Sequence, residues 1–454
     1  MTTHLPILGT GGGPYDGRVP LSRRAAADPP NAISVARAQL AGVELLDLSD
    51  SNPTRHGLTD PETAEILARA ASRPPSYDPD PRGCVAAREA LAEKFGGGPD
   101  DYWLTPGTST AYSWLFALLT DPGERIAVPR PGYPLVEPLA RLAGVGTVGY
   151  PAYYLHPYGW EYDLDALADA IDADGTTGFG HPRTSSGATR LNRDFAQDDG
   201  AGKASAVVVV HPNNPTGAYA DASLAEACRN VPLIVDEVFW PFWLGDMTGS
   251  CDVAQDDDQD CLSIPPRLSG TAAATPSPVG APTPAPSNLT FGLDGLSKLL
   301  AAPHLKLGWI RVSGPASELP GIAQALDRIA DAHLPVAGPL ADALPALLDR
   351  TDATVARVRE RLRANLATAC GYFGEAPYRV RRVEGGCTVL VDVPRVLPDD
   401  DLVIALLERS HLAVHPGWFY DLDSPGTLAL SLLPDPDAFA DGCARLRAAI
   451  EALG

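Results

Sequence analysis

Apolar residues along the chain fall into two patterns. Short unbroken runs rich in β-branched residues, Ala206-Val207-Val208-Val209-Val210 and Val231-Pro232-Leu233-Ile234-Val235, predict strands buried on both faces of a parallel sheet. Apolar residues at helical spacing predict helices over 32–40, 86–93, 319–334 and 339–366, the last two with Arg and Glu along the solvent face. Shorter strand-like runs lie at 44–49, 101–105 and 125–129. From residue 378 onward the pattern turns β-rich, with runs at 378–380, 385–393, 412–419 and 427–432. Strands alternating with helices before that point predict an α/β architecture.

Elsewhere the pattern breaks. Residues 1 to about 30 are rich in Gly, Pro and polar residues and predict a mobile arm. Gly11-Gly12-Gly13 has no strand before it and no helix after it, so it is not a phosphate loop. Periodicity is lost again over about 174–204. From about 246 to 288 the chain carries Asp256-Asp257-Asp258 and a tract rich in Thr, Pro and Ala. Such a segment buries too little apolar surface to offset its ordering entropy, which predicts a mobile, dispensable insert. The Asp run reads as a solvated acidic loop rather than a metal site.

Composition narrows the function. A chain of 454 residues with 45% hydrophobic content can bury a sizeable core, which excludes disorder throughout. The 57 acidic residues against 35 basic ones leave a formal charge of −22, arguing against nucleic acid or an anionic membrane as partner. Seven scattered cysteines form no Cys-x-x-Cys pair, so neither a disulfide framework nor a zinc site is expected, and a cytoplasmic location fits best. Neither a basic segment leading into an apolar one at the N-terminus nor any run of about 18 apolar residues occurs, so no signal peptide or membrane span is expected.

Residues able to do chemistry gather where the strand-like runs end, the edge at which α/β proteins usually hold ligands. Lys298 closes the run Phe291-Gly292-Leu293-Asp294-Gly295-Leu296-Ser297, where desolvation would make its amine a nucleophile for a carbonyl. Gly107, Thr108 and Ser109 turn a strand into a helix, whose free N–H groups and positive end can take a phosphate. Tyr133, in Pro131-Gly132-Tyr133-Pro134, can stack on a flat heterocycle. Asn214 follows one valine-rich run, in Asn213-Asn214-Pro215-Thr216-Gly217, and Asp236 leaves the next, in Asp236-Glu237-Val238-Phe239. His211 reads as structural.

In this order the motifs, with Lys306 following Lys298, resemble the landmarks of the class I/II (fold type I) pyridoxal-phosphate aminotransferases, from about Glu44 to the C-terminus. The resemblance implies a fold type I PLP-dependent transferase: a mostly parallel seven-stranded sheet in a large domain (46–318), a smaller α+β C-terminal domain (319–454), and residues 1–45 folding onto the small domain. It implies a homodimer using pyridoxal 5'-phosphate, without a metal, to move an amino group between an amino acid or amine and a 2-oxo acid. Lys298 would be the Schiff-base lysine and shuttle the proton. Asp236 would keep the pyridine nitrogen protonated, which makes the ring an electron sink. Tyr133 would stack on the ring and Asn214 hold its phenolic oxygen. Gly107, Thr108, Ser109 and Lys306 would take the phosphate, and Tyr77 would reach the partner subunit's phosphate.

Several positions depart from the family pattern. Phe239 replaces a tyrosine hydroxyl, Gly295 replaces a serine, and Lys306 replaces an arginine, keeping the charge without the bidentate fork. In the tail, Leu428-Ala429-Leu430-Ser431 has alanine where the resemblance expects the arginine that clamps the substrate α-carboxylate. Either another cation, with Arg55, Arg82 and His415 as candidates, holds the substrate, or the substrate is not an ordinary α-amino acid. A lyase or decarboxylase on an amino acid is the alternative within the same cofactor chemistry, and a non-catalytic cofactor-binding protein the alternative outside it.

Overall fold

The computed structural model describes residues 22–25, 29–74, 77, 79–171, 203–245, 265, 267–269 and 288–454. The triple glycine, nearly all of the 174–204 stretch, and the Asp run and Pro-rich tract of the 246–288 stretch lie outside these residues. The strands are β1 (Leu46–Asp47), β2 (Tyr102–Thr105), β3 (Arg125–Arg130), β4 (Gly146–Leu155), β5 (Gly159–Tyr162), β6 (Ala204–Val210) and β7 (Leu233–Asp236). They continue with β8 (Thr290–Gly295), β9 (Gly308–Ser313), β10 (Arg379–Val380), β11 (Thr388–Asp392), β12 (Leu412–Ala413), β13 (His415–Pro416) and β14 (Thr427–Ser431).

The valine run in β6 lies at the middle of an eight-stranded sheet of order β2-β9-β8-β7-β6-β3-β4-β5. Only β9 and β5 run against the other strands. Side chains alternate across a strand, so Ala206, Val208 and Val210 enter one apolar layer and Val207 and Val209 the other. The first layer is closed by helix Thr108–Leu119, through Ala111, Tyr112 and Leu115. The sheet has one strand more than the seven expected. The addition is β5, which folds back on the edge strand β4 as a hairpin.

A second sheet, β10-β11-β14-β13, is antiparallel. Helices Thr351–Phe373 and Pro436–Leu453 share its core, which also takes in Leu48 and, from helix Ala32–Gln39, Ile33. Strand β1 pairs in parallel with β12, Leu46 opposite Leu412. The helical run read as 339–366 is two helices, Gly338–Leu348 and Thr351–Phe373. At the break Arg350 reaches the buried Asp60 at 3.2 Å and Glu62 at 3.0 Å. The two sheets meet where the Gly132 N–H donates to the Tyr420 carbonyl at 3.0 Å and Arg130 pairs with Asp421 and Glu137.

The expectation of a wholly dispensable insert over 246–288 needs correction at its described residues. The Pro265 carbonyl accepts from Trp240 Nε1 at 2.8 Å, Leu268 packs on the second apolar layer, and Arg267 and Ser269 are engaged in the interior. Low-complexity composition on either side hid these anchors.

Candidate active site

Beyond the carboxyl ends of β6, β7 and β8 lies a cavity of about 810 Å3, counting its open mouth. Thr108, Tyr133, Asn214, Asp236 and Lys298 line it from the large sheet's side, and Thr388, His415, Phe419, Tyr420 and Ala429 from the small sheet's side. Each of the first group leaves a strand or opens the helix that follows one, so the parallel sheet itself brings them together.

Lys298 sits in the helical turn Leu296–Leu299 directly after β8 and is 7% exposed. Its Nζ lies 4.8 Å from the centroid of the Phe239 ring, so the residue that lacks the expected hydroxyl gives the amine an aromatic face instead. Among the described residues no hydrogen bond or ion pair engages that Nζ. A buried amine without a carboxylate partner is available for bond formation.

Asp236 closes β7, buried. Tyr112 Oη donates to its Oδ2 at 3.0 Å and the Val238 N–H to its Oδ1 at 3.2 Å. Burial pushes its carboxyl up to about 6, those two donors pull it down, and the charges of Asp294 and Glu237 push it further up. Tyr112 was missed from the sequence. Its position one turn after Thr108, on the same helix face, is the signal that could have found it.

Gly107 caps the helix Thr108–Leu119 at φ +100°, a conformation that side chains disfavour, and its carbonyl accepts from the Thr110 and Ala111 N–H groups at 3.1 and 3.2 Å, so Thr108 and Ser109 form the open first turn. Gly308 backs onto this turn: a Cβ on it would come within 3.2 Å of the Gly107 Cα. Gly295, opposite Gly308 in the β8–β9 pair, has the same constraint, since a Cβ there would meet the Gly308 Cα at 2.9 Å. The serine expected at 295 is therefore absent for lack of room. Ser297 lines the cavity in its stead.

Of the residues expected at the phosphate, Thr108 lines the cavity, while Gly107, Ser109, Lys306 and Tyr77 are not among the lining residues. Lys306 is exposed, in a left-handed turn two residues before Gly308. Tyr77 is 78% exposed. Asn214 Oδ1 accepts from Thr388 Oγ1 at 3.2 Å, joining the two sheets across the cavity. His211 accepts at Nδ1 from the Ala220 N–H at 3.1 Å and is fully buried, a structural role.

The opposite wall is apolar and aromatic. Ala429, 2% exposed, packs with Leu390, Leu422, Tyr420, Phe419 and Trp160. His415, its partner across β13–β14, stacks on Phe419 with centroids 4.3 Å apart. Burial holds the imidazole down to about 4, so it is neutral at neutral pH. Arg55 pairs with Asp50 at 3.2 Å, and Arg82 forks onto Asp327 at 2.7 and 2.8 Å with its face on Trp103. Both guanidinium groups are thus already matched to acids. Lys298 is the lone lysine or arginine among the described residues of the lining.

A sequence model described as aminotransferase class I and II matches residues 44–445. The chain belongs to the class I and II aminotransferases. It is 23% identical over 452 residues to an alanine aminotransferase of Mycobacterium tuberculosis, covering 92% of this chain and 87% of that protein. It is 25% identical over 378 residues to an S-alkyl-thiohydroximate lyase of Arabidopsis thaliana, covering 78% of this chain and 69% of that one. In fold it is similar to an alanine aminotransferase from Pyrococcus furiosus, with TM-score 0.72, 21% identity, and coverage of 95% of this chain and 100% of that one. The fold is that of the fold type I aminotransferases, and the chain is an aminotransferase of a pyridoxal-phosphate-dependent family. Among the described residues no helix is long and apolar enough to cross a membrane.

Proposed function

We propose that this aminotransferase works as a cytoplasmic homodimer that holds pyridoxal 5'-phosphate in the cavity and moves an amino group between an amino acid or amine and a 2-oxo acid. One observation carries the assignment of residues: a buried, unpaired lysine and a buried carboxylate line the same cavity, with a helix N-terminus opening onto it. The residues fit the cofactor. Asp236 keeps a carboxylate in the wall while Tyr112 and Val238 fix its orientation, Tyr133 offers a ring, and Thr108 opens the positive end of a helix. When bound, the cofactor supplies an aldehyde to take up the substrate's amine and a ring to receive its electron pair.

The chain's own groups do the rest. Lys298 would hold the cofactor through its amine and would take and return the proton at the substrate Cα. Asp236 holds a proton on the ring nitrogen. Asn214 would hold the phenolic oxygen, and the Gly107–Ser109 turn and Lys306 would take the phosphate. Tyr77, standing out from its own subunit, serves the partner's phosphate. The test is the visible spectrum of the purified protein with added cofactor and a panel of amines, repeated on Lys298→Ala. A lysine-dependent absorption band that responds to some amines is expected; a colourless protein indifferent to the cofactor overturns the assignment.

A second reading, elimination by a lyase, is favoured by the apolar wall at Ala429, which offers no guanidinium to an α-carboxylate. Keto product released with no amino acceptor present would select it.

A further inference from the structure

Immediately behind Asp236 two more buried carboxylates, Glu237 and Asp294, are 1% and 3% exposed. Successive strand residues face opposite ways, so Asp236 turns toward Tyr112 while Glu237, with Asp294 on the neighbouring strand, turns to the other side. There Arg267 lies between them, Nη1 at 3.0 Å from Glu237 Oε2 and Nη2 at 2.7 Å from Asp294 Oδ2. Its guanidinium is also sandwiched by rings, 4.3 Å from the Trp240 centroid and 5.0 Å from that of Phe95. Ser269 completes the plug: its N–H and Oγ donate to Glu237 at 3.2 and 2.6 Å, and its carbonyl accepts from Ser313 at 2.8 Å. The sheet makes room for it at Gly292, where a Cβ would come within 2.5 Å of the Ser269 Cβ.

We propose that Arg267 is a positioning residue for the cofactor site. It neutralises Glu237 and Asp294 so that Asp236 can carry its negative charge toward the cofactor's ring nitrogen, which makes the anchor formed by Pro265, Arg267 and Ser269 a working part of the site. The proposal rests on the reading of Asp236 given above. The groups facing Asp236 are Tyr112 and Tyr133, both kept protonated by burial, with Glu237 and Asp294 behind it and Lys298 across the cavity. Of these neighbours the two acids disfavour its ionisation, and Arg267 is the cation placed against both. Burial pushes Asp294 itself up to about 6 against the pull of Arg267, so Asp294 takes up a proton easily once that cation is lost.

The experiment uses the full-length protein and pyridoxal 5'-phosphate as the probe. Its affinity is measured against pH for the wild type, R267M, R267K, D236N and the triple variant R267M/E237Q/D294N. Infrared spectra of the cofactor-free proteins count protonated carboxyl groups. R267M is expected to raise the affinity midpoint by about one pH unit, which weakens cofactor affinity about twofold at pH 7 and about tenfold at pH 5, and to add protonated carboxyl signal. R267K, which keeps the charge, and the triple variant, which removes the buried acids together with the cation, are expected to restore the midpoint. A midpoint unchanged in R267M, or a triple variant no better than a folded R267M, overturns the proposal. Should R267M not fold, a midpoint displaced equally in R267K and the triple variant overturns it. Cofactor affinity unaltered in D236N would instead strike at the reading of Asp236 beneath it.

Discussion

The two walls of the cavity are built on opposite plans. On the large sheet's side, polar groups are buried and held by other polar groups: Asp236 by Tyr112 and Val238, with Glu237 and Asp294 behind it tied by Arg267. On the small sheet's side, Ala429, Phe419 and Tyr420 present carbon surface, and the imidazole stacked on Phe419, that of His415, is neutral. The first wall is specific about charge, as the cofactor site proposed for it requires. The second is specific about shape, and it is where Ala429 stands in place of the expected arginine. A buried charged network demands every partner, whereas an apolar pocket tolerates variation in what fills it.

This contrast can be broken or sharpened by substitution. Lys298→Ala should remove about 10⁴-fold of the transfer rate, measured in single turnovers with amine and oxo acid, while the melting temperature stays near that of the wild type. Asp236→Asn should cost about 10²-fold in the same assay. It should also flatten the pH dependence of cofactor binding, because in the wild type affinity falls on acidification through about pH 6, as the carboxylate takes up its proton. The sign for folding is the reverse. A carboxyl raised from 3.8 to about 6 favours the folded, cofactor-free chain below pH 3.8, and that contribution is lost as pH rises through 6.

On the other wall, Ala429→Arg should lower KM for a carboxylate-bearing amino donor about tenfold, at a cost of about 1–3 kcal/mol in stability from overpacking. A KM that stays put while the protein remains folded would show that the substrate carboxylate does not come to this wall. Tyr112→Phe should weaken cofactor binding by about 1 kcal/mol, roughly fivefold, by removing one donor to Asp236. His415→Phe should change the pH profile of the reaction between about 5 and 9 least of all, because a neutral ring is replaced by another.

The first wall was largely legible from the chain. Thr108, Tyr133, Asn214, Asp236 and Lys298 each follow a strand-like apolar run, and a parallel sheet delivers such residues to one edge. The absence of a serine at 295 had no local explanation, because the obstruction is the backbone of Gly308 on the paired strand. Arg267 was invisible for a related reason. It stands in a tract whose composition speaks for disorder, and the acids that fix it come from β8 and from the turn after β7. Strand β5 escaped because a four-residue edge hairpin carries little periodicity. The second wall could be read only as a missing arginine, since what replaces a guanidinium depends on packing between Leu390, Trp160 and Tyr420.

The Gly132 N–H bond to the Tyr420 carbonyl, reinforced by the Arg130–Asp421 pair, couples the segment carrying Tyr133 to the segment carrying Phe419 and Tyr420. Any swing of the small sheet must either sever that hinge or pivot about it. Along this flank the gap between Tyr133 and the aromatic wall therefore keeps its width.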